Sequence, residues 1–325
     1  MDLSTTYLGK RLPHPLVVGA GPLGDDLDTV KALEDAGASM LVLRSLYEEE
    51  IVAEQMDAFF NLDGHMDAFS EASSFESESE LSVGPDEYLE HLRRVKETVG
   101  IPVIASLNGV TAGGWISYAK LLEDAGADGL ELHLFHAASD MTTSAADVER
   151  QAIDTLREVK RAVSMPVAVK MAPLLTAFAN FAHQLDLASA DGLVLFTRFH
   201  RADIDIDELE IVRSMPLSDS SDLSLRLRGT AALAGRVKAS LAITGGIHTG
   251  IDVIKATMAG AHATQMVSAL LRHGPGHLRT VRREIESWMQ EHEWASLDEM
   301  RGNMSLQRIP DPAAYERANF RMALR

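Results

Sequence analysis

The chain has 325 residues, no cysteine and a formal net charge of −18 at pH 7, with 46% hydrophobic and 24% charged residues, the balance of an ordinary globular protein. The acidic excess repels polyanions and anionic lipid, which argues against a broad nucleic-acid or membrane-surface face. The lack of cysteine excludes disulfides, thiolate metal sites, iron–sulfur clusters and a cysteine nucleophile or base within this chain.

Residues 1–10 show no apolar core behind a basic start, and no stretch approaches the ~18 apolar residues of a membrane span, so a cytoplasmic address is expected. Short apolar runs then alternate with longer amphipathic ones, the pattern of a parallel sheet with crossover helices. Eight runs stand out, at 16–20, 40–43, 103–107, 129–134, 167–171, 192–196, 241–244 and 264–267. Apolarity on both faces fits strands with helices outside and a packed barrel interior within. Helices are expected over 28–36, 85–99, 114–125, 145–163, 177–188, 230–239, 250–259 and 277–292. The phrase Ala-Gly-Ala recurs after three of them, at 36–38, 125–127 and 259–261, where glycine supplies a helix C-cap. Pro102 and Pro166 each stop a helix just before a strand. The fold expected is a single (β/α)8 barrel over 1–325, with insertions at 45–84 and 198–228 after the second and sixth strands and a tail at 294–325. Loops after strands emerge at the face where barrels place their active sites, so the insertions shape a site or elaborate an acidic surface. The Ser/Glu-rich stretch 71–87 reads as a mobile lid or a solvated loop.

The sharpest local signal is Ile243-Thr244-Gly245-Gly246-Ile247 closing the seventh run, followed after a helix by Gln265-Met266-Val267-Ser268-Ala269. Backbone N–H groups at the ends of strands seven and eight make a phosphate cup, and glycine permits close approach; the alternative for a Gly-Gly pair is a plain tight turn. Lys170 sits inside an apolar strand and needs an anion: a ligand's phosphate, carboxylate or electron-rich ring, or a structural Asp or Glu. Arg44 and Ser45 close the second strand and Asn108 the third. Glu131 and His133 share one face of the fourth, Glu131 as an architectural tie and His133 as a rim or core residue. His136, in the following loop, is placed to exchange a proton near neutral pH or is simply a solvated histidine. No metal ligand set is read.

These residues resemble the dihydroorotate dehydrogenases, and more closely their bacterial dihydroorotate dehydrogenase-like relatives. The resemblance rests on His14-Pro15-Leu16-Val17-Val18-Gly19-Ala20-Gly21, Val42-Leu43-Arg44-Ser45, Ile101-Pro102-Val103-Ile104-Ala105-Ser106, Glu131-Leu132-His133-Leu134, Val169-Lys170-Met171-Ala172-Pro173, and the 243–246 and 265–270 segments. The tail at 300–305 and 315–319 is similar to that of the dehydrogenase-like branch. The resemblance implies an FMN oxidoreductase passing hydride from a dihydropyrimidine-type small molecule, such as the dihydroorotate of pyrimidine biosynthesis, to flavin. Ala20 and Gly21 would contact the flavin, Lys170 would face its N1 and O2 edge, and Gly245, Gly246, Val267 and Ser268 would cradle its phosphate. Cation placement at N1 stabilises the anionic reduced flavin. The family's strand-two lysine is Arg44 here, its strand-six asparagine is Thr197, and its Asn-Leu-Ser-Cys-Pro-Asn motif reads His133-Leu134-Phe135-His136-Ala137-Ala138. His136 stands in the cysteine's place as the proton acceptor, and orotate-specific contacts are lost. A homodimer is expected, with room for a separate electron-transfer partner because this chain carries no cluster. Two other readings use the same cup: a flavin-free lyase or isomerase acting on a phosphorylated substrate through Lys170, and a non-catalytic flavin-binding relative.

Overall fold

The computed structural model describes residues 1–48, 50, 84–109, 115–134, 140–198, 201–312 and 315. Eight parallel strands close a barrel: β3 (Leu16–Val18), β4 (Leu41–Tyr47), β5 (Val103–Asn108), β6 (Gly129–His133), β7 (Val167–Met171), β8 (Gly192–Leu195), β11 (Ser240–Thr244) and β12 (Ala263–Met266), with β12 pairing to β3 and β8 to β11. Helices α1 (Leu27–Asp35), α2 (Pro85–Thr98), α3 (Trp115–Asp124), α4 (Ala145–Ala162), α5 (Phe178–Leu187), α6 (Leu223–Leu233) and α7 (Gly250–Ala259) follow the first seven of those strands. After β12 come the short α8 (Ser268–His273), then α9 (His277–Glu291) and α10 (Leu297–Met300). The (β/α)8 architecture expected from the alternating runs is present.

The two-sided apolarity of the runs has a direct structural meaning. Outward residues such as Leu16, Leu41, Val103, Leu130, Val169, Leu193 and Ile243 join the core shared with the helices. Inward residues Val17, Val42, Ile104, Ala168, Val194, Ala242 and Ala263 form a second core inside the barrel. That inner core is closed from below by a hairpin not expected from the sequence: β1 (Thr5–Tyr7) and β2 (Lys10–Leu12), turning through Leu8 and Gly9, both at positive φ. Tyr7, Leu8 and Leu12 pack into the interior, and Leu8 Cδ2 lies where a Cβ on Gly192 would fall, so glycine there admits the plug. Carboxylates stitch the same end. Asp128, just before β6, accepts from Val103 N at 2.8 Å and pairs with Lys96; Asp191, just before β8, accepts from Val167 N at 2.7 Å and pairs with Lys160.

Two expectations need correction. The sixth crossover helix spans 223–233, not 230–239, so the insertion after the sixth strand ends at 222 and not 228. Asp219 and Asp222 form a reciprocal capping box that starts a 3-10 turn leading into the helix, whereas Gly235, at φ +76, follows its end. Within that insertion the structure forms a second hairpin, β9 (Arg201–Asp205) with β10 (Glu210–Ser214). The strand-two insertion falls largely outside the described residues; of the 71–87 segment only 84–87 are described, and 85–87 open α2. The tail packs on the barrel: Gly302 N donates to Thr257 O, Met304 N to Met258 O and Leu306 N to Ala231 O. No helix among the described residues is long and apolar enough to cross a membrane.

Candidate active site

One step further up each strand, the inward side chain changes character. Two residues past Ile104, Ala168 and Ala263 stand Ser106, Lys170 and Gln265, and they meet the inward Glu131 of β6. Glu131 is 1% exposed; its Oε1 accepts from Lys170 Nζ at 3.0 Å and its Oε2 from Gln265 Nε2 at 2.6 Å. The lysine's anionic partner is therefore a structural glutamate, one of the alternatives left open by the sequence, and Glu131 ties β7 to β12 across the barrel. Gln265 Oε1 is buried without a hydrogen-bond partner among the described residues, as is the Tyr7 hydroxyl beneath the network. Burial, then the Glu131 charge, pushes the Tyr7 hydroxyl pKa well up, keeping it protonated.

His133 lies beside Lys170 in the β6–β7 register. Burial and, secondarily, the Lys170 charge hold its pKa at about 4 rather than 6.5, so it is a neutral imidazole at physiological pH. Asn108 is its neighbour on β5. Ser45 Oγ and Ser106 Oγ are 2.8 Å apart, and Tyr88 Oη donates to Arg44 O at 2.8 Å. Arg44 reaches Asp25 at 3.6 Å and Glu50 at 3.8 Å, leaving its buried Nη2 without a hydrogen-bond partner among the described residues. Thr197, 5% exposed, is held at the end of β8 through its N–H to Met171 O. Ala20 packs on the inner core, and a Cβ on Gly21 would fall 2.9 Å from Val267 Cγ1, so the ends of β3 and β12 touch through a position without a side chain.

The Gly245-Gly246 turn is a built feature. Both glycines have φ near +80°, and a Cβ on Gly246 would lie 2.6 Å from Leu223 N at the start of α6. Around it, Gly246 N donates to Ser218 Oγ at 3.4 Å, Ser218 N to Ser268 Oγ at 3.0 Å, and Ser218 Oγ lies 3.1 Å from His248 Nε2. Asp252 fixes the following loop, accepting from His248 N, Thr249 N and Ser220 Oγ.

Residues singled out from the sequence thus come from the C-terminal ends of all eight barrel strands, arranged as one ring. Lys170, His133 and Glu131 form its polar centre, and Gly245, Gly246 and Ser268 its cup. His136 lies outside the described residues. Ser218, His248 and Arg226 were given no role from sequence, and Gln265 entered only as part of the 265–269 segment; an arginine three residues past Leu223 and four before Thr230, on the buried face of α6, was the available signal for Arg226.

The profile of the family described as dihydroorotate dehydrogenase matches residues 2–289. Dihydroorotate dehydrogenase B (NAD(+)), catalytic subunit, of Thermoplasma volcanium is 25% identical over 313 residues, covering 93% of this chain and 98% of the relative. The protein of the same description from Geobacter sulfurreducens is 26% identical over 320 residues, covering 94% and 99%. The chloroplastic dihydropyrimidine dehydrogenase (NADP(+)) of Arabidopsis thaliana is 23% identical over 330 residues, covering 93% and 76%. A match running from the plug hairpin through α9, on a closed barrel with a polar mouth, makes this chain an oxidoreductase belonging to the dihydroorotate dehydrogenase family.

Proposed function

We propose that the barrel mouth holds FMN and oxidises a dihydropyrimidine-type substrate, with dihydroorotate as the first candidate. The observation that carries this reading is the pairing of a charged centre, Lys170 on Glu131, with a glycine turn two strands away around the same mouth. Several features fit a planar, hydrogen-bonding ring with a phosphate tail. Gln265 Oε1 and Arg44 Nη2 are buried without hydrogen-bond partners among the described residues, Gly21 offers a surface with no side chain, and the Gly246 turn is lined by Ser218 and Ser268. Bound FMN would supply the hydride acceptor. Lys170 would meet the pyrimidine edge, Ala20 and Gly21 would pack on the ring, and Gly245, Gly246, Val267 and Ser268 would hold the phosphate.

His133, held neutral, offers a hydrogen bond without a second positive charge beside Lys170. His136 stands as the proton acceptor, carrying the substrate's proton to solvent as the hydride leaves. A separate partner protein would take up the electrons, since this chain has no cysteine for a cluster and the relatives named above include catalytic subunits. The lyase reading is weaker, because Lys170 is engaged by Glu131, a partner that a Schiff-base lysine has to shed.

The purified chain is expected to be yellow and to be bleached anaerobically by dihydroorotate or a related dihydropyrimidine. His136→Asn should slow bleaching by about 10²-fold or more while flavin stays bound. A colourless protein that takes up no FMN would overturn the proposal.

A further inference from the structure

Arg226, on the buried face of α6, is only 6% exposed. Its Nε donates to Thr244 O, the residue before the Gly-Gly turn, and its Nη1 donates to Asp222 O at 2.6 Å. Its Nη2 makes no hydrogen bond to the described residues, and none of their carboxylates lies within ion-pair distance of the guanidinium. The nearest acid, Asp222, has its carboxylate turned to Asp219 N in the capping box. The guanidinium lies flat against the turn: a Cβ on Gly245 would stand 2.9 Å from Nη2 and 3.0 Å from Nε. Burial lowers the Arg226 pKa, the Asp222 charge raises it in part, and a second cation, Arg198 just past β8, lowers it again.

A buried guanidinium fixed by two carbonyls, with no carboxylate of the described residues in ion-pair contact, is an incompletely compensated charge. The space left by the missing Gly245 side chain is taken by the guanidinium itself, which brings its uncommitted Nη2 donor against the Gly-Gly turn. We infer that Arg226 is a phosphate ligand of the cup, making the site select flavin mononucleotide over the unphosphorylated flavin. This inference rests on the FMN reading and adds a residue and a basis of discrimination to it.

The test is fluorescence titration of the flavin-free chain with FMN and with riboflavin, for the unmodified protein, Arg226→Met and Arg226→Lys. The unmodified chain should prefer FMN strongly. Arg226→Met should weaken FMN by about 10- to 100-fold while leaving riboflavin unchanged, and Arg226→Lys should restore part of the preference. Equal weakening of both flavins by Arg226→Met would make the arginine a brace of the turn and overturn the inference, as would an unchanged FMN affinity. If the unmodified chain binds no flavin, the FMN reading falls by itself, and calorimetry with inorganic phosphate decides Arg226. Phosphate bound by the unmodified chain and lost in Arg226→Met sustains the ligand role; phosphate bound by neither, or by both alike, overturns it.

Discussion

The floor and the mouth of this barrel are built on the same strands, one inward position apart. At the floor, Val17, Val42, Ile104, Ala168, Val194, Ala242 and Ala263 close on Tyr7, Leu8 and Leu12 of the plug hairpin, with no charge in the cluster. Two residues along, the inward positions hold Ser106, Glu131, Lys170, Thr244 and Gln265. The period-two alternation of a strand means that a step of about 7 Å exchanges a layer that gains from leaving water for one that pays to do so. Stability and chemistry are thus stacked on one scaffold, and each can be perturbed at its own level.

The sharpest break of that comparison is Glu131→Ala. It strands Lys170, 12% exposed at its side chain, without its carboxylate, and should cost about 3–5 kcal/mol in denaturant unfolding. A cost below about 1 kcal/mol would mean the mouth is wetter than the geometry implies. Leu12→Ala in the plug should cost about 2–5 kcal/mol through lost burial and a cavity, with flavin binding to the surviving folded fraction unchanged. If it abolished binding without unfolding, floor and mouth would not be separable.

A smaller effect comes with pH. An unfolded His133 takes up a proton near pH 6.5, whereas the folded one resists to about pH 4. Between those values the unfolded state binds more protons, so this contribution is complete above pH 6.5 and is lost as pH falls towards 4. His14 and His262, at the floor end and also held at about 4 by burial, add to it. Replacing His133 with Asn should flatten the acid slope by about 1.4 kcal/mol per pH unit in that window, measured by unfolding at a series of pH values. The smallest effect is Tyr7→Phe. Removing a buried hydroxyl with no partner among the described residues should leave stability unchanged or raise it by up to about 1 kcal/mol, seen as a shift in denaturation midpoint.

The barrel was legible because its strands are apolar on both faces, which separates runs such as Val103-Ile104-Ala105 from the amphipathic helices between them. The plug hairpin was not, since two three-residue strands around Leu8-Gly9 leave too short a pattern, and their burial depends on an interior that only the closed barrel creates. The start of α6 was missed because Leu223-Ser224-Leu225-Arg226-Leu227-Arg228 alternates with period two, although the capped 3-10 turn that leads into it and its packing make it helical. At the mouth, the Gly245-Gly246 turn and Lys170 carry local signals. The Glu131–Gln265 bond joins residues 134 apart in sequence, and nothing local announces it.

In the reading proposed above, one mouth grips a phosphate at the Gly245-Gly246 turn while Lys170 meets the attached ring. A crystal structure of the chain with FMN tests it directly. The phosphate is expected among the backbone of 245–246, Ser268 and the Arg226 guanidinium, with the ring beside Lys170. Flavin seated away from the strand ends, or with its phosphate turned from that glycine pair, would contradict it.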